Sequence, residues 1–168
     1  MLQLKCTKKL IDFLDLSTEP ISDIEPNTLL GDWHVNYIKF GNVDFMVFLN
    51  DLTLFCMIKV IQFPTKNLSA IFINILTNIL HDLNIDFQII NKISTQYSKT
   101  KITKTSSRSI LGSMNEITNR FLILCEDNLV TNDKINPYEI VKRLNNIPQK
   151  NLGWNFSEEY LKEILMAT

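Results

Sequence analysis

Residues 104–116 read KTSSRSILGSMNE, a lysine, an arginine and a cluster of hydroxyls around one glycine. Hydroxyls, backbone amides at a helix start and unneutralised cations are the groups that hold phosphates and carboxylates. Two local structures fit this segment. In the first, Ser113-Met114-Asn115-Glu116 forms an S-x-x-E capping box. Gly112 then lies in the turn, and the amides of Ser113, Met114 and Asn115 face outward beside Lys104 and Arg108. In the second, the helix starts near Ser106 or Ser107 and carries Ile110, Leu111, Met114, Ile117 and Phe121 as one stripe. Gly112 would then sit inside the helix at about 1 kcal/mol relative to Ala, which suggests close packing against a neighbour. Either way the candidate ligand-binding residues are Lys101, Lys104, Ser107, Arg108, Ser109, Ser113 and Asn115. The Walker pattern G-x-x-x-x-G-K is absent.

Other chemistry is thinly represented. Trp33 and His34 open an apolar segment and should point to opposite faces of a strand, with Trp33 as a core anchor and Asp32 as a turn residue. His81 falls near the end of a helical segment, where it complements the dipole. Two histidines without H-x-x-x-H spacing do not make a zinc site, and no G-x-S-x-G elbow exists. Cys6, Cys56 and Cys125 each sit among apolar neighbours, as buried structural thiols do, although a Cys–His pair remains open. No cofactor is expected.

Charge is unevenly distributed along the chain. From Asp12 to Asp51 eight acids face one lysine, whereas 87–115 holds five bases and no acid. Such asymmetry steers an anionic partner toward one face, or the two segments neutralise one another in the fold. The bases of 92–108 are interleaved with hydroxyls and a tyrosine, as in nucleic-acid binders, yet the sequence pI of about 6.1 is acidic for that class. Three widely spaced cysteines and the lack of a secretion-type apolar run lead us to expect a reduced, cytoplasmic protein without membrane contact.

The elements that must position these residues follow from periodicity. Residues 2–6 read as a strand, and Thr7 caps a helix over 8–14. Residues 17–31 hold Pro20 and Pro26 and read as a loop. Three strands follow at 33–40, 43–50 and 53–60, joined by Gly41-Asn42 and Asn50-Asp51-Leu52 as tight turns. An amphipathic helix spans 65–83, a second covers 85–97, and 99–105 is polar and β-prone. Asn136-Pro137-Tyr138-Glu139 starts a helix running to about 146, and Ser157 opens a terminal helix burying Leu161, Ile164 and Leu165. With 168 residues, one domain is expected, of class α+β: an antiparallel meander of three to five strands with helices packed on one side.

Four segments, LKCTKKL, LGDWHVNYI, FLNDLTLF and KTSSRSILGSMNE, occur in this order and resemble a family of small prokaryotic proteins of uncharacterised function. That family carries a Gly-Asp-Trp strand and an Arg-Ser-x-x-Gly-Ser-Met-Asn block, here Arg108, Ser109, Gly112, Ser113, Met114 and Asn115. The resemblance implies the order of elements and directs attention to the block, and it implies no activity. The expected role is a binding or regulatory module that engages a protein partner or a phosphate-bearing ligand through residues 101–115. An enzyme acting on a nucleotide or nucleic acid, and an inhibitor or antitoxin-like subunit using the acidic 12–51 segment, are the alternatives.

Overall fold

A computed structural model describes residues 1–22, 26–62 and 67–167. The acids Asp23 and Glu25, and the first two residues of the expected 65–83 helix, lie outside them. The N-terminal elements form as their sequence requires. Strand β1 (Leu2–Cys6) leads into helix α1 (Lys8–Leu14), whose Thr7 cap accepts the Leu10 amide. Strands β2 (Trp33–Phe40) and β3 (Val43–Asn50) pair from Phe40↔Val43 to Trp33↔Asn50 across the Gly41-Asn42 turn, where Gly41 takes φ +57°. Strand β4 (Cys56–Val60) pairs antiparallel with β3. It begins three residues later than its β-prone sequence suggests, because the turn after β3 continues through Leu54, at φ +54°. That turn is built on Asn50. Its side-chain oxygen accepts from the amides of Leu52 and Thr53 and from the Thr53 hydroxyl, and its side-chain amide donates to the Leu30 carbonyl at 2.6 Å.

Helices α2 (Leu68–Asp82) and α3 (Phe87–Gln96) follow, then strand β5 (Thr100–Lys104). Helix α4 (Arg108–Asn132) is the longest, and α5 (Pro137–Asn145) starts at the Asn136 cap with Pro137 in its first turn. A small hairpin, β6 (Pro148–Gln149) and β7 (Asn155–Phe156), precedes α6 (Ser157–Met166).

The class is α+β, with a five-stranded sheet in the order β4-β3-β2-β1-β5. Two features depart from the expected arrangement. First, β1 runs parallel to both β2 and β5, so only the β2–β3–β4 meander is antiparallel. The α1 and α2–α3 crossovers separate these strands by more chain than a hairpin needs, and such connections produce parallel pairs. Second, helices cover both faces of the sheet, not one. Leu2, Leu4, Trp33, Val35, Met46, Phe48 and Met57 pack under α1, α2, α3 and α6, whereas Ile38, Phe45, Val47, Leu49, Cys56 and Ile58 pack under α4 and α5. The residues of β3 from Phe45 onward are all buried. A strand apolar on both faces needs cover on both.

Candidate functional site

The order β2-β1-β5 is a parallel half-sheet; the carboxyl ends of β1 and β5 deliver Thr7 and Thr105 to one rim, and Asn36, midway along β2, adjoins Thr7. The Thr7 amide donates to the Val35 carbonyl, the Thr105 amide donates to the Cys6 carbonyl, and the Thr7 hydroxyl donates to Asn36 Oδ1. Open sheets bind ligands outside such carboxyl ends. At this rim α4 begins. Ser107 is its N-cap, accepting the Ile110 amide through Oγ, and Leu111 opens the backbone ladder by donating to the Ser107 carbonyl. The amides of Arg108 and Ser109 therefore stay unpaired among the described residues. The helix start near Ser107 is the second of the two local structures open to the sequence. The capping box does not form: Glu116 pairs with Arg120 one turn on. Gly112 is mid-helix without close packing, since a Cβ built there meets nothing within 4 Å.

The seven expected ligand residues thus divide. Lys104, Arg108 and Ser109 are exposed at the helix entrance, with Ser107 half-buried as its cap. Among the described residues no carboxylate pairs with Lys104 or Arg108. Lys101 lies on β5 and pairs with Glu19 at 3.6 Å. Ser113 is buried inside α4 and its hydroxyl accepts from Asn151, so its amide and side chain do not face the entrance. Asn115 is exposed, two turns into the helix.

Behind this entrance runs a chain of polar contacts that sequence reasoning did not assemble. The Thr105 hydroxyl lies 2.7 Å from Nδ1 of His34, a residue with no exposed surface. His34 Nε2 lies 2.8 Å from Asp51 Oδ1, an ion-pair distance at which the ring N–H is not aligned for a good hydrogen bond. An ionised carboxylate only accepts, so Nε2 carries a proton toward Asp51. Lys5 sits between two carboxylates, 2.8 Å from Asp51 Oδ2 and 3.1 Å from Asp32 Oδ2. Asp32 is fully engaged, its oxygens accepting from the Gln3 amide and the Gln3 side chain.

Burial works against the charge on Asp51, but the His34 and Lys5 partners outweigh it and hold the carboxyl below its ordinary range. Burial likewise depresses Lys5, while Asp51 and Asp32 more than compensate and hold the ammonium above its ordinary value. The register explains the assembly: Lys5 is paired with His34 on one side and with Thr103 on the other, all on the α4 face. The one available signal was alternation, which sends His34 away from Trp33. The partners Asp51 and Thr105 come from a turn and a distant strand, and neither has a local signature.

The thiols of Cys6 and Cys56 are pushed up to about 12 by burial, and that of Cys125 to about 11, so none supplies a thiolate at neutral pH. Within the acidic segment Asp32 is buried, Asp44 accepts from the Tyr37 hydroxyl, Asp51 is in the chain above and Glu19 meets Lys101, whereas Asp12 and Asp15 are exposed. No group of three His, Cys, Asp or Glu side chains suited to a metal forms among the described residues. Lys5 already fills the space between the two carboxylates. No described helix is long and apolar enough to cross a membrane.

No curated protein and no solved structure matches the chain. The family described as Domain of unknown function (DUF6933) matches residues 3–160, from β1 into α6, and the chain belongs to it.

Proposed function

We propose that this protein is an accessory or regulatory binding module that takes a phosphate-bearing ligand at the entrance to α4. The observation that carries this reading is the pairing of two unneutralised cations, Lys104 and Arg108, with the two unpaired amides of Arg108 and Ser109. These donors stand at the positive end of a 25-residue helix, beside the carboxyl ends of parallel strands. The Thr105 hydroxyl, fixed by His34, borders the same rim.

The test is a thermal-shift series with inorganic phosphate, ATP, a short RNA and a short DNA, on wild type and Arg108→Ala. At a ligand concentration about 100-fold above Kd the melting temperature should rise on the order of 5 °C. Arg108→Ala should remove most of that rise, and added salt should weaken it. No shift with any of the four ligands would sink the proposal.

An enzyme acting on a nucleotide or nucleic acid is the second reading, and one observation favours it. Thr105, His34 and Asp51 follow the hydroxyl–imidazole–carboxylate order of activated nucleophiles. Against it, Lys5 already neutralises the carboxylate, and the chain joins β1, β2, the β3–β4 turn and β5 as a structural tie would. Turnover of ATP or RNA by wild type, lost in Thr105→Val with ligand-induced stabilisation retained, would favour the enzyme.

A further inference from the structure

The sheet has two edges, and they are treated differently. The β5 edge is bordered by residue 19, whose amide donates to the Ile102 carbonyl. The β4 edge is partly open. Bonds from the Ile61 amide to the Asp44 carbonyl, and from the Asn50 amide to the Phe55 carbonyl, fix which β4 residues face β3. By the antiparallel alternation, Cys56, Ile58 and Val60 direct their backbone groups outward. At Cys56 both groups are taken by one side chain: the Cys56 amide donates to Asn145 Oδ1 and Asn145 Nδ2 donates to the Cys56 carbonyl, each at 2.8 Å. A carboxamide here makes the two bonds that a neighbouring strand would make. At Ile58 and Val60 the same groups have no partner among the described residues.

A slot runs along this edge. Helix α2 lies over one face of the sheet and α5 over the other, and both overhang β4. The resulting cavity measures about 380 Å³; Ile58, Val60, Ile75, Ile79 and Val141 give it apolar surface, and Lys59, Gln62, Asn74, Asn78 and Asp82 give it polar surface. A second cavity of about 200 Å³ continues it past Asn145, with Asp82, Lys142, Glu158 and Lys162 on its walls.

We infer that this slot binds a short extended peptide segment of a partner protein, which adds to β4 as a sixth strand. The segment would exchange bond pairs with Ile58 and Val60, extending the pattern that Asn145 begins at Cys56. Its side chains would point alternately toward Ile75 and Ile79 on α2 and toward Tyr138 and Val141 on α5. The α5 wall (Pro137, Tyr138, Val141) is largely apolar, and the α2 wall sets Ile75 and Ile79 among Asn74, Asn78 and Asp82, so a segment seated against both carries a central apolar run with polar groups beside it. Charged flanks suit the far end, where the walls carry both signs. A second copy of this chain does not fit, because its own β4 lies at the bottom of an identical slot and two recessed edges cannot meet. The slot is separate from the α4 entrance and stands whatever that entrance binds.

The experiment is selection of a displayed random octapeptide library on the full chain, followed by synthesis of the enriched peptides. Enriched sequences should share a central apolar run. Methylating alternate peptide nitrogens, which removes donors and leaves side chains intact, should weaken binding at least tenfold. Val60→Pro removes only an outward amide, a position where edge strands tolerate proline, and should weaken binding similarly with the circular dichroism unchanged. Failure to enrich any peptide, enrichment without an apolar run, or affinity indifferent to N-methylation would overturn the proposal. So would a wild-type dimer in sedimentation that Val60→Pro converts to monomer.

Discussion

At the scale of single residues, His34 and Asp51 carry more of the architecture than their neighbourhoods in the chain suggest. His34 has no exposed surface, and its two ring nitrogens meet a hydroxyl from β5 and a carboxylate from the β3–β4 turn. Asp51 in turn reaches Lys5 on β1. The folded Asp51 carboxyl titrates below its unfolded value, so its contribution to stability is present above the ordinary aspartate value of about 3.9 and lost as pH falls through the lower folded value. Lys5 behaves oppositely: its contribution is present below the ordinary lysine value of about 10.4 and lost as pH rises through the raised folded value. Asp51→Asn should therefore melt below wild type at pH 7, and the gap should close as pH falls below the aspartate range. Calorimetry from pH 2 to 7 reads this directly, and a gap independent of pH would contradict it. Almost none of this was legible locally. Asn50 reads as a turn residue, but its bond to Leu30 and the Asn145 carboxamide that caps the sheet edge at Cys56 have no local signature. The partners lie 20 and 89 residues away, at Leu30 and Cys56.

Elements were far more legible, because their signals are local. Strands β1, β2 and β3, helix α1 and the start of α5 stand where alternation, caps and turn residues put them. Strand direction was not readable, since the parallel pairing of β5 with β1 depends on how α2 and α3 return the chain. The number of helical layers could have been read from β3, where VDFMVFLN lacks the polar alternation of a one-sided strand. For α4 the periodicity of the longer helix prevails over the capping box: Ile110, Met114, Ile117 and Phe121 all pack in the core beneath it. Gly112 is then a helix-interior glycine on the exposed side, and an added methyl group meets nothing within 4 Å. Gly112→Ala should stabilise the protein by about 1 kcal/mol through helix propensity alone. A urea titration should show a higher midpoint with an unchanged slope. A lower midpoint would mean that the exposed side of α4 meets something beyond the described residues.

For the whole molecule, the decisive feature is one sheet shared by two cores. Trp33 anchors the first, edge-on to Phe72 at 5.2 Å between ring centroids, with its indole N–H directed to the Tyr97 hydroxyl at 3.4 Å. Phe121 anchors the second, edge-on to Phe45 at 5.2 Å. The two aromatic groups never touch, yet β3 contributes Phe45 and Val47 to one core and Met46 and Phe48 to the other. Loosening either core frees the strand that walls the other, so the layers should unfold together despite facing opposite sides. Phe121→Ala tests this coupling. Truncating a fully buried phenylalanine costs about 3–5 kcal/mol, which should lower the melting temperature on the order of 10 °C. The informative probe is Trp33 fluorescence, because Trp33 belongs to the opposite core and Trp154, the other tryptophan, is already 66% exposed. If the sheet couples the cores, the Trp33 transition should move down with the far-ultraviolet circular dichroism transition, and the two midpoints should coincide. A Trp33 midpoint that stays at the wild-type value while the helical signal melts early would show that α4 and α5 peel away as an independent layer.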